Sequence, residues 1–111
     1  MKIAFSAAGA DLDAQVDPRF GRCQYFVIVD TDTMEFEAAP NSGATAGGGA
    51  GIAAAQQIAG KGLEAVLTGN CGPNAFDVLK AAGIKVFTGV SGSIKEAIES
   101  YKAGKFQSTA E

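Results

Sequence analysis

Two cysteines, two arginines and a run of glycines are where this chain could do chemistry. Cys71 lies in Gly69-Asn70-Cys71-Gly72-Pro73-Asn74, and Pro73 suits the first position of a helix. A thiol there faces the positive end of a helix dipole, which favours the thiolate, a soft metal ligand or reactive nucleophile. The alternative is a small apolar side chain filling a gap beside glycines. Asn70 and Gly72 flank that thiol and complete a candidate binding turn. Cys23 ends Asp17-Pro18-Arg19-Phe20-Gly21-Arg22-Cys23, where two guanidinium groups could neutralise an anion and donate several hydrogen bonds to it. They could equally form surface pairs with Asp11, Asp13 or Asp17. Gly47, Gly48, Gly49 and Gly51 precede a segment of helical spacing, and bare N–H groups ahead of a helix make an anion cradle. The stretch matches GxGxxA but lacks the early strand-turn-helix setting of a dinucleotide fold, and no Lys-Ser/Thr pair completes a phosphate loop. Its plain alternative is a flexible turn.

The elements that must position these residues follow from the pattern around them. Lys2 to Ser6 and Tyr25 to Asp30 are short apolar runs of strand length. Met34 to Ala39 alternates like an edge strand, paired to the second run through the turn at Thr31-Asp32-Thr33 and ended by Pro40. A first helix follows the glycines, with Ile52, Ala55, Ile58 and Ala59 at helical spacing and Gly60 and Gly62 as stops. Ala65 to Thr68 is a buried strand, and Pro73 opens a helix with Ala75, Phe76, Leu79 and Ala82 on one face and Gly83 at its end. Ile84 to Phe87 is a last strand, and Ser93 with Glu96 forms a capping box for a final helix ending near Ala103. The order βββαβαβα gives a hairpin half and a half of alternating units with parallel pairing, hence a mixed five-stranded sheet covered by helices.

Composition narrows the chemistry further. At 111 residues, 47% hydrophobic and 19% charged, the chain makes one domain, 1–111, with the ordered part ending near residue 104. The net charge of −3 offers no phosphate-neutralising surface, so nucleic acid is not the expected partner. No apolar run approaches the ~20 residues of a membrane span, and the opening residues lack a signal core, so the expected location is the cytoplasm with reduced cysteines. The absence of histidine removes the commonest general base and metal ligand, which argues against an enzyme. Two cysteines far apart in sequence form no CxxC pair.

Across MKIAFS, DPRFGRCQYFVIVD, GGGAGIAAAQ, LTGNCGPNAFDVLKAAGIKV and GSIKEAIESYKAG the chain resembles the dinitrogenase iron-molybdenum cofactor biosynthesis domain family, in the manner of its small stand-alone members. The resemblance extends over essentially the whole chain. It implies a ribonuclease H-like three-layer α/β domain whose five-stranded mixed sheet has the order 3-2-1-4-5 with strand 2 antiparallel. It implies binding, carriage or assembly of an iron-sulfur or iron-molybdenum-type cluster, without catalysis, working with cluster-donor or acceptor proteins; the expected state is a monomer or a weak homodimer, in which two chains would supply four thiolates. Several members have histidine where this chain has Arg19, so histidine ligation does not carry over.

On that reading Cys23 and Cys71 are the metal ligands, and Arg19, Arg22, Gly47, Gly48, Gly49, Gly51, Asn70 and Gly72 surround an anionic cluster. The topology predicts that both cysteines and the glycine loop open on one sheet edge, with cysteine backbones roughly 10 Å apart, two strand spacings. A thiol sealed in the core would return both cysteines to packing. The competing function is a metal-free adaptor or regulatory interaction domain.

Overall fold

The computed structural model describes residues 1–42 and 49–106. Gly47 and Gly48 lie outside the described residues, as does most of the tail expected to fray after Gly104. The strands are β1 (Lys2–Ala7), β2 (Tyr25–Asp30), β3 (Phe36–Pro40), β4 (Leu63–Leu67) and β5 (Lys85–Phe87), and the helices are α1 (Ala50–Ala59), α2 (Pro73–Ala81) and α3 (Ile94–Lys102). They follow one another in the expected order, and the sheet runs β3-β2-β1-β4-β5. β2 is antiparallel to both β1 and β3, while β4 is parallel to β1 and β5. The mixed α/β architecture expected from the sequence is therefore the observed one.

Alternation along the strands sorts the core into two faces. Ala4, Phe26, Ile28 and Val66 meet Ala54, Ala55 and Ile58 of α1 and Ala75, Phe76 and Leu79 of α2. Ile3, Phe5, Val27, Val29 and Leu67 meet Ile94, Ala97 and Ile98 of α3 on the other face. The strands are buried on both sides, which is why YFVIVD reads as a continuous apolar run.

Three details differ from the sequence reading. Pro40 lies within β3, opposite Tyr25, because on an edge strand the missing N–H faces away from the ladder. Ile52 is only half-buried, and Ala54, beside Ala50, Ala55 and Ile58, takes its place on the core face. Ala82 is exposed as the C-cap of α2, and Gly83, at φ 77, provides the left-handed exit.

Candidate functional site

Three loops meet beyond the C-terminal ends of β1 and β4, where open α/β sheets leave a crevice. They form a cleft of about 360 Å³ lined by Phe20, Gly21 and Arg22 from the β1–β2 connection, Gly49 to Ile52 at the start of α1, and Gly72 to Ala75 at the start of α2. The segments are held close by what glycine lacks. A Cβ added to Gly21 would lie 2.8 Å from the Gly51 nitrogen, and one added to Gly51 would touch the Ala75 Cβ at 3.4 Å. The β1–β2 loop thus lies against α1, whose first turn in turn packs on α2.

Both helices begin at this space, and among the described residues no side chain caps either N-terminus. The first helical hydrogen bond of α1 runs from the Ala53 N–H to the Gly49 carbonyl, and that of α2 from the Phe76 N–H to the Gly72 carbonyl. The preceding N–H groups have no partner within their helix. Neither helix has a side-chain cap, whereas α3 has a full capping box formed by Ser93 and Glu96. Gly49 sits at φ 71, a conformation that favours glycine, but Gly72 at φ −66 does not require it, and a Cβ there would meet nothing within 4 Å. The bare position at Gly72 leaves the α2 terminus open to the cleft.

The loop behind Arg22 is anchored by buried polar groups. The Ser6 hydroxyl donates to the Asp17 carbonyl at 2.7 Å and shares a 2.7 Å hydrogen bond with the Thr68 hydroxyl, tying β1 to the exit of β4. The buried Asp17 carboxylate accepts from the Arg19 N–H at 2.9 Å and from its Nε at 3.3 Å. A Cβ on Gly69 would lie 2.5 Å from the Pro18 Cα, so the two loops cross at backbone contact.

The candidate residues divide accordingly. Arg22, Gly49, Gly51 and Gly72 line the cleft. Arg19 is paired with Asp17, one of the partners that the surface-pair alternative named. Asn70 is exposed and its carbonyl accepts from the Phe20 N–H at 3.2 Å. Neither Arg19 nor Asn70 is among the lining residues. The cysteines correct the expectation that two thiols open on this edge. Cys23 is fully buried and Cys71 is 7% exposed; both belong to the core between the sheet and α1 and α2, and neither lines the cleft. The Phe20 ring, 5.2 Å from that of Phe26, shares this core with Cys23, and the thiol donates to the Phe20 carbonyl at 3.3 Å. Burial pushes the Cys23 thiol up to about 11, away from thiolate. Both cysteines therefore lie packed in the core rather than open to the cleft. Among the described residues no group of three or more cysteine, aspartate or glutamate side chains gathers to hold a metal ion.

Phe20, Ile52, Pro73 and Asn74 also line the cleft, and sequence reasoning missed them as site residues. The signal available was their position, next to Gly21 or within the first turn of a helix that opens without a capping side chain.

Comparison with known proteins agrees with this architecture. An uncharacterised protein of Methanocaldococcus jannaschii is 34% identical over 96 residues, spanning 84% of this chain and 81% of that protein. The apo form of the orange protein from Desulfovibrio gigas superposes with a TM-score of 0.95 at 44% identity, covering 98% of this chain and 92% of that one. A NifB-type protein from Thermotoga gives 0.82 at 36% identity, covering 96% and 91%. The profile of the dinitrogenase iron-molybdenum cofactor family matches residues 1–104, so the chain belongs to that family.

Proposed function

We propose that this protein binds and carries a preformed metal-sulfur cluster, iron-sulfur or molybdenum-containing, as an anionic cargo in the cleft. The carrying observation is that two uncapped helix N-termini and Arg22 converge on one cavity. N–H groups and a guanidinium attract negative charge, and the accessible side chains of Ile52 and Pro73 give a bulky, weakly hydrated anion an apolar surface to rest on. Among the described residues no carboxylate lines the cleft to oppose it. Because no thiol lines it either, the metals must keep their own sulfide ligands, and the cargo is held and released whole. The family's association with the iron-molybdenum cofactor supports a cluster as the cargo, and so does the 44% identical orange protein, described in its apo form. Cluster-donor and acceptor proteins are then the natural partners, and no catalytic step is required of the chain.

Anaerobic titration with tetrathiomolybdate, and with iron plus sulfide, tests this reading, with molybdate as the hydrated oxyanion control. Binding of a sulfide-coordinated species should survive the double substitution Cys23→Ser, Cys71→Ser at a temperature where that variant is folded. It should fall at least about tenfold in Gly72→Asp, which places a carboxylate on the α2 terminus, while a good N-cap leaves stability unchanged or raised by a few tenths of a kcal/mol. Loss of binding only in the cysteine variant would restore thiolate ligation. No binding by the wild type would favour the metal-free adaptor.

A further inference from the structure

Asn41 is a buried polar side chain, 7% exposed, that does not line the cleft. Its amide nitrogen donates to the Gly21 carbonyl at 3.1 Å and to the Cys23 carbonyl at 3.0 Å, and lies 3.7 Å from the Cys23 sulfur. Two carbonyls on either side of Arg22 are thereby drawn to one inner donor, so the chain arcs outward at Arg22, which is exposed and lines the cleft. The arc also presses on the other wall, because Gly21 sits against the Gly51 nitrogen at a distance where even a Cβ would not fit.

The neighbours of Asn41 are held by that second wall. Gln57 of α1 donates to the Pro40 carbonyl at 2.8 Å and accepts from the Ser42 N–H at 3.0 Å and its hydroxyl at 2.9 Å. The end of β3 therefore grips the Arg22 loop through Asn41 and α1 through Gln57. Position within about 1 Å matters when separate donors must converge on one anion, since each hydrogen bond weakens steeply with distance and angle.

We infer that Asn41 is the positioning residue of the cleft, setting the spacing between Arg22 and the N–H groups that open α1; this rests on the anion-binding reading above. It touches no cargo. Removing a supporting group of this kind costs roughly 10-fold to 100-fold in affinity where such supports have been deleted from metal sites.

The test compares wild type, Asn41→Ala, Gly21→Ala and Gly72→Asp in tetrathiomolybdate titrations at a temperature where urea curves show each protein folded. Backbone amide NMR spectra of the unliganded proteins are recorded alongside. Asn41→Ala should bind at least about tenfold more weakly than wild type. Its Gly51 and Ile52 amide signals should move while those of Ala97 and Ile98 on α3 stay in place, a pattern that general destabilisation does not produce. Wild-type affinity in Asn41→Ala, or unmoved Gly51 and Ile52 signals, overturns the inference. Absence of binding by the wild type, or full binding by Gly72→Asp, overturns the anion-binding reading instead, and the NMR comparison still decides whether Asn41 sets the spacing. If Asn41→Ala does not fold, Gly21→Ala wedges the same contact from the other side. Similar weakening there supports the inference, and wild-type affinity overturns it.

Discussion

Burial is the largest cause raising the Cys23 thiol from 9.0 to about 11; nearby Asp17 acts in the same direction, while hydrogen bonds from the Ala7 backbone and Asn41 oppose them. A raised pKa in the folded state means that the unfolded chain loses its proton first. The contribution to stability is complete below pH 9.0 and is lost as pH climbs to about 11, a change of roughly 2 to 3 kcal/mol. Urea unfolding across that window should show this alkaline loss, and Cys23→Ala, less stable at neutral pH through lost packing, should lose correspondingly less. The pH dependence would be alike in both proteins if the thiol were already ionised. Gly69 makes a second case at this scale. Gly69→Ala would place a Cβ 2.5 Å from the Pro18 Cα, backbone that cannot rotate aside, and should cost about 1 to 3 kcal/mol in a urea titration. Gly72→Ala, with open space around it, should cost far less.

The three helices share a sheet but end differently. In α3 the Ser93 hydroxyl accepts from the Glu96 N–H at 3.2 Å and the Glu96 carboxylate reaches back to the Ser93 N–H at 3.4 Å. Ser93→Ala should therefore cost about 1 kcal/mol, measured by thermal or urea unfolding, and leave cargo affinity unchanged because α3 lies on the opposite face from the cleft. Among the described residues no side chain caps α1 or α2, whose first turns border the cleft. A capping side chain at Gly72 should raise stability slightly and reduce anion binding together, opposite signs from one substitution, whereas Gly49, at φ 71, does not accept one without strain. Such a trade of local stability against function is what an open site on a rigid element predicts.

At the scale of the whole molecule, a cargo that binds only the folded chain stabilises it by mass action. With free tetrathiomolybdate at 100 times its dissociation constant the gain should be about 2.7 kcal/mol, read as a shift of the urea midpoint. Gly72→Asp, binding at least about tenfold more weakly, should show at most about 1.4 kcal/mol of this shift while unfolding like the wild type without ligand. The net charge of −3 gives no long-range attraction for an anion, so recognition rests on local donors in the cleft. Among the described residues no helix is long and apolar enough to cross a membrane.

The element order and a mixed five-stranded sheet were legible in the chain, while the strand order 3-2-1-4-5 came with the family resemblance. Strand-length apolar runs, a proline at a helix start and the Ser93 to Glu96 spacing are local signals, and parallel pairing with helical crossovers leaves few ways to connect them. With that order the loops after β1, β3 and β4 reach one edge, and Arg22, Gly49, Gly51 and Gly72 line the cleft there. Which way each side chain turns was decided only by tertiary packing. Cys23 and Cys71 stand at the right loop ends, yet the apolar face of α1 and the ring of Phe20 needed small buried partners there, and the thiols went inward. Arg19 and Arg22, three residues apart and alike in chemistry, were separated by a buried carboxylate: Asp17 paired Arg19, and Asn41, from the distant end of β3, set the arc that leaves Arg22 at the cleft. Such contacts join residues far apart in the chain, so no local spacing encodes them.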